Sequence, residues 1–102
     1  MPFNAAPPKH PRAAEIAVFD RLTALLSRSW GKGCEGDNCV LHTMLRVVHP
    51  PDPLWYRALN ALRDALPTGH SSIVGLNDAP ETTLADVLTI VARARRAIEM
   101  AL

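Results

Sequence analysis

Two cysteines and a histidine, Cys34, Cys39 and His42, stand close enough along the chain to act together. All three side chains are metal ligands, and His49 or His70 could bring a fourth donor from elsewhere in the fold. Structural zinc sites gather their ligands in paired C-x2-C or C-x4-C units, however, and no second pair follows here. The plainer reading leaves Cys39 packed as a small hydrophobe, Cys34 in a loop, and His42 on the surface or as a cap. A second chemistry makes Cys39 a nucleophile. At the first turn of a helix the exposed backbone N–H groups would stabilise its thiolate, and His42, one turn on, shares its face as a base, with Glu35 or Asp37 to orient it. An inward-facing cysteine on an apolar helix would be inert, so catalysis by Cys39 and His42 stands as the alternative.

The stretch from Trp30 to Arg46 that holds these residues also holds Gly31, Gly33 and Gly36, three of the five glycines. Gly31-Lys32-Gly33 lacks the preceding strand and the Gly-Lys-Ser or Gly-Lys-Thr ending of a nucleotide loop, and reads as a turn. Glu35-Gly36-Asp37-Asn38 has the look of a calcium-loop fragment without its later bidentate glutamate, so capping by Asp37 or Asn38 is the expectation. Once the glycines turn the chain and Cys39 to Val48 enter the core, Trp30, Lys32 and Cys34 are left without a structural task. They are the expected binding residues. Trp30 either roofs the core or stands in a groove beside the glycine loop, where a protein partner would meet it. The two cysteines, with four residues between them, read first as free thiols of a reducing compartment and second as a Cys34–Cys39 bridge.

Helices must position this loop. Pro2, Pro7, Pro8 and Pro11 make residues 1–11 an extended or disordered arm. From Arg12 to Arg28 the residues Ile16, Phe19, Leu22, Leu25 and Leu26 recur at helical spacing, with Glu15, Asp20, Arg21 and Ser27 on the opposite face. A second helix from Cys39 to Val48 is apolar nearly all round and is placed at the centre of the bundle. His49-Pro50-Pro51-Asp52-Pro53 stops it, and Asp52 caps a third helix over 53–66 with Pro53 at its first position and Trp55, Leu59, Leu62 and Leu66 buried. Residues 70–77 read as loop or short helix. Thr82 or Thr83 caps a last helix, with Asp86 reciprocal to Thr83, and Leu84, Val87, Leu88, Val91, Ala94 and Ile98 make its inner face. The expected fold is thus all-α, a compact bundle of four main helices over 12–102.

Composition bounds the function. The chain has 102 residues, 48% hydrophobic and 21% charged, which suits one globular domain. Eleven basic against ten acidic residues give a net charge of +1, no field with which to gather nucleic acid or an anionic membrane. Arg93, Arg95 and Arg96 with Arg12, Arg21 and Arg28 would form a basic patch only if the first and last helices lie side by side, and a solvated helix face is the commoner outcome. Aromatic residues for stacking bases are scarce beyond Trp30, Trp55 and Tyr56. No apolar run reaches the roughly 18 residues of a membrane span, and residues 1–12 lack the pattern of a signal peptide, so the expected location is the cytoplasm.

Trp30-Gly31-Lys32-Gly33 followed by Cys39-Val40-Leu41, and then Leu76-Asn77-Asp78-Ala79-Pro80 with Thr83 and Val87, resemble a small bacterial and phage-associated family of unknown function. Its pattern has a Trp and a Gly in the loop after the first helix, a cysteine opening the second, and a Trp-Asn-Asp-Ala-Pro segment before the last. The resemblance covers residues 12–98. It departs at Leu76, where the family has tryptophan, at Glu81-Thr82, where a Gly-Arg pair is usual, and at His42, where a small residue is usual. It implies a fold and no activity. Asn77 and Asp78 are suited to cap and anchor the last helix. The expected function is a small protein-interaction or regulatory module of a phage or mobile element, without cofactor, with a protein partner or a second copy in a homodimer. The alternative is a small enzyme or metal-binding domain centred on Cys34, Cys39 and His42.

Overall fold

The computed structural model describes residues 11–32 and 38–101. The expected arm over 1–11 therefore lies outside the described residues except for Pro11. Five helices follow in order: α1 Ala13–Ser29, α2 Val40–Leu45, α3 Pro53–Asp64, α4 Ile73–Asp78 and α5 Leu84–Met100. No strand occurs among the described residues, and the all-α reading holds.

The three long helices form the body. α1 packs along α5, and α3 lies against both. Arg95 of α5 reaches Asp20 at the middle of α1 (2.7 Å). The start of α1 and the end of α5 share a cleft, while Lys32 beyond α1 reaches Ala79 and Pro80 ahead of α5. The two helices therefore run antiparallel. Phe19, Leu22 and Leu26 from α1 meet Val87, Val91, Ala94 and Ile98 from α5 and Ala58 and Leu62 from α3 in one continuous core. A fully buried leucine or phenylalanine contributes about 2 kcal/mol by leaving water, so this three-helix contact carries most of the stability.

Local chemistry sets the helix ends. Asp52 accepts from the Leu54 N–H with Pro53 at the first position of α3. Thr83 and Asp86 form a complete capping box on α5. α2 differs from expectation in two ways. It is only six residues long, because Arg46 to Val48 already turn out of the helix ahead of His49-Pro50. Its N-cap is Cys39, whose backbone is extended and whose sulfur accepts the His42 N–H at 3.4 Å. Asn38 instead closes the preceding loop, its carbonyl accepting the Gly31 N–H at 3.0 Å. Asp37 lies outside the described residues. α4 is the short-helix outcome for residues 70–77, capped by Ser72, whose Oγ accepts the Gly75 N–H. A Cβ at Gly75 would come within 2.8 Å of that Oγ, so any other residue there must displace the Ser72 hydroxyl from its cap. α2 and α4 pack on one another, and α2 also packs on α1.

Candidate functional site

The stretch singled out by its chemistry meets the Asn77 segment in space. Asn77, on the last turn of α4, is fully buried. Its Oδ1 accepts the indole N–H of Trp30 at 2.7 Å and the Val40 N–H at 3.1 Å. Its Nδ2 donates to the Gly31 carbonyl at 3.3 Å and to Asp78 at 2.9 Å. One amide thus holds the end of α1, the start of α2 and the end of α4. Beside it Lys32 Nζ donates to the carbonyls of Ala79 and Pro80, both at 2.8 Å, filling acceptors that the end of α4 leaves open. Asn77, read as suited to cap and anchor the last helix, ties together both ends of the glycine loop, and Thr83 caps α5 as expected.

These contacts give Trp30 and Lys32 structural work that their sequence positions did not reveal. Trp30 is half-buried against the core. Cys34, with Glu35, lies outside the described residues. Cys39 is fully buried and disulfide-bonded, and no free cysteine is present among the described residues. The reading as free thiols is therefore corrected: Cys39, which only the alternative made a nucleophile or metal ligand, has its sulfur bonded to another sulfur. The chain's other cysteine is Cys34. His42 stays next to Cys39 through its backbone N–H, whereas His49 is exposed beyond α2 and His70 lies beside Glu81 and Asp86. Among the described residues no three His, Cys, Asp or Glu side chains converge as a metal ion requires, and no helix is long and apolar enough to cross a membrane.

Three features escaped the sequence. The first is Glu15, assigned to the solvent face of α1 but buried, its carboxylate between Arg12 (3.4 Å) and Arg57 of α3 (3.5 Å). Nothing in the local spacing shows a partner 42 positions away. The second is the use of the arginines. Arg93 donates to the Ala65 carbonyl at the end of α3, and Arg95 pairs with Asp20 and Glu99, its hydrogen bond to Asp20 holding it still more firmly charged. Side-by-side packing of α1 and α5 thus produces the Arg95–Asp20 ion pair, while Arg93 turns to a backbone carbonyl at the end of α3. The third is an apolar groove of about 190 Å³ between α2, α3 and α4, lined by Leu41, Trp55, Leu59, Ile73 and Val74 with Arg63 and Ser72 at its edge. Tyr56 is half-exposed and lies one helical turn before Leu59 of that lining.

Residues 10–97 match the sequence profile of the Family of unknown function (DUF6197), and the chain belongs to that family. No curated protein and no solved structure matches it.

Proposed function

We propose that this member of a family of unknown function is a small non-catalytic binding module whose protein partner docks in the groove between α2, α3 and α4. The observation that carries the reading is the groove's composition. Leu41, Trp55, Leu59, Ile73 and Val74 line it with apolar side chains, and Tyr56 and Val74 are two of the three large hydrophobic residues left exposed among the described residues. Aromatic and aliphatic anchors ringed by an arginine and a serine are what a protein contact uses. α4 links this surface to the glycine loop, because it lines the groove with Ile73 and Val74 and holds the loop with Asn77. Trp30, Lys32 and Cys34 are accordingly the second contact we assign to the partner. A regulatory role for a bacterium or phage belongs to the same proposal. The alternative centred on Cys34, Cys39 and His42 has lost its thiolate at Cys39.

A double variant, Tyr56→Ala with Val74→Lys, tests it. Both residues are exposed, so the helical circular dichroism should be unchanged. Cross-linked capture from source cells should then return a protein with the native chain and with an Arg21→Ala control, and lose it with the double variant. Equal capture by all three forms would remove the groove as the docking surface. Sedimentation of the purified chain separates the homodimeric version, in which a second copy fills the groove and the double variant becomes monomeric.

A further inference from the structure

On another face of α3 lies a cleft of about 360 Å³, bounded by the start of α1, the outer side of α3 and the end of α5. We propose that it binds a small molecule through a compact oxyanion, a carboxylate or a phosphate. Its polar walls are Arg12, Glu15, Arg57, Asn60, Asp64 and Arg93, three guanidinium groups against two carboxylates. A second hollow of about 320 Å³ shares Arg12, Glu15 and Arg57 with it, so the two open into each other at those residues.

The two carboxylates do not present alike. The Glu15 side chain is 7% exposed, and the Arg12 and Arg57 side chains beside it are 44% and 62% exposed. The arginines therefore stand at the mouth with Glu15 behind them. Each touches Glu15 through a single Nη1 at 3.4 or 3.5 Å, not as a two-bond fork. Among the described residues Arg57 makes no hydrogen bond that would occupy its other N–H donors, and a guanidinium has five. Glu15 is thus a positioning residue that holds the two planes side by side.

Two further observations favour an anion. α1 starts at Arg12 with no side-chain cap, and Arg12 lines the cleft, so the positive end of a 17-residue helix lies at this corner. The apolar lining of the cleft is mostly alanine, Ala61, Ala65, Ala97 and Ala101, which leaves room for the organic body of a ligand. The volume lies in the range of small-molecule sites. Along α3 the spacing of Arg57, Asn60 and Asp64 sets all three on the cleft side, so Asn60 and Asp64 can meet a hydroxyl or amine of the same ligand while Arg57 holds its anion.

The test is a nuclear magnetic resonance titration of the labelled full chain with inorganic phosphate and, separately, with acetate, at constant ionic strength against chloride. The expected result is saturable movement of the Ala13 and Ala14 amides and the Arg57 side chain with at least one of the two. Saturation by phosphate alone identifies a phosphate ester as the ligand class, by acetate alone a carboxylate, and by both a general oxyanion site. Arg57→Gln should weaken binding at least about tenfold. Because that change leaves Glu15 with one arginine, Arg57→Lys is the companion: it keeps the charge and the ion pair but loses the planar fork, and should also weaken binding. Arg28→Gln, at the far end of α1, should change nothing. Linear drift with both ions, or saturation indifferent to both Arg57 variants, would overturn the proposal.

Discussion

A primary amide offers two donors and two acceptor sites, and Asn77 fills all four while buried. Such a node stabilises because it is complete; left half-satisfied it would be a liability. Asn77→Ala removes the acceptor from the Trp30 indole and from the Val40 N–H at once. With each net bond worth about 1 kcal/mol and a further penalty for the stranded donors, the expected loss is about 3 kcal/mol in urea unfolding, a large share of a small domain's stability. Trp30→Phe keeps the ring and strands only one acceptor site, so about 1 kcal/mol is expected, and a loss below that for Asn77→Ala would mean water replaces the amide. The same node explains why Trp30 and Lys32 looked idle in sequence. Their partners lie 47 and 48 positions away, and only the polarity of Asn77-Asp78 hinted that the segment anchors something. Glu15 was misplaced for the same reason, since helical periodicity reports the face a residue occupies and not the arginine brought over it by another helix.

Helices long enough to show their period were legible. α1, α3 and α5 appear within about two residues of their expected ends, and both Asp52 with Pro53 and Thr83 with Asp86 act as their types predict. α2 and α4 are six residues each, too short to be stable by themselves. Their bounds depend on local caps, Cys39 for α2 and Ser72 for α4, and on tertiary partners, Asn77 for α2 and Lys32 for the end of α4, while the turn at Arg46 to Val48 leaves α2 shorter than its apolar run. The contrast can be measured. Thr83→Ala should cost about 1 kcal/mol, Asp86→Ala a similar amount, and the double variant less than the two together, because each removes the same reciprocal box. Strict additivity in chemical unfolding would show that the two bonds act independently and not as one reciprocal box.

At the scale of the whole molecule, a chain of this size has a core whose margin is small, so one cross-link weighs heavily. Cys39 is disulfide-bonded, and the sequence holds a single other cysteine, Cys34. A bridge between them encloses six residues, and the loop-entropy relation gives about 2 kcal/mol for a ring of that size. The bridge also acts where the fold is most interdependent, since Cys39 caps α2, its neighbour Val40 donates to Asn77, and Asn77 holds Gly31 at the other end of the loop. Reduction should therefore lower the unfolding free energy by about 2 kcal/mol, and Cys34→Ser should do the same without added reductant. The variant should then show no further response to reductant. An unchanged denaturation midpoint in both experiments would mean that Asn77 and the Gly31–Asn38 hydrogen bond close the loop unaided. Because disulfides persist in oxidising compartments and are reduced in the cytosol, blocking free thiols at the moment of cell lysis and counting them extends the same measurement to the cell. A blocked Cys39 would place the working protein in its reduced, less stable form, and an unblocked one would remove the free-thiol argument for the cytoplasm.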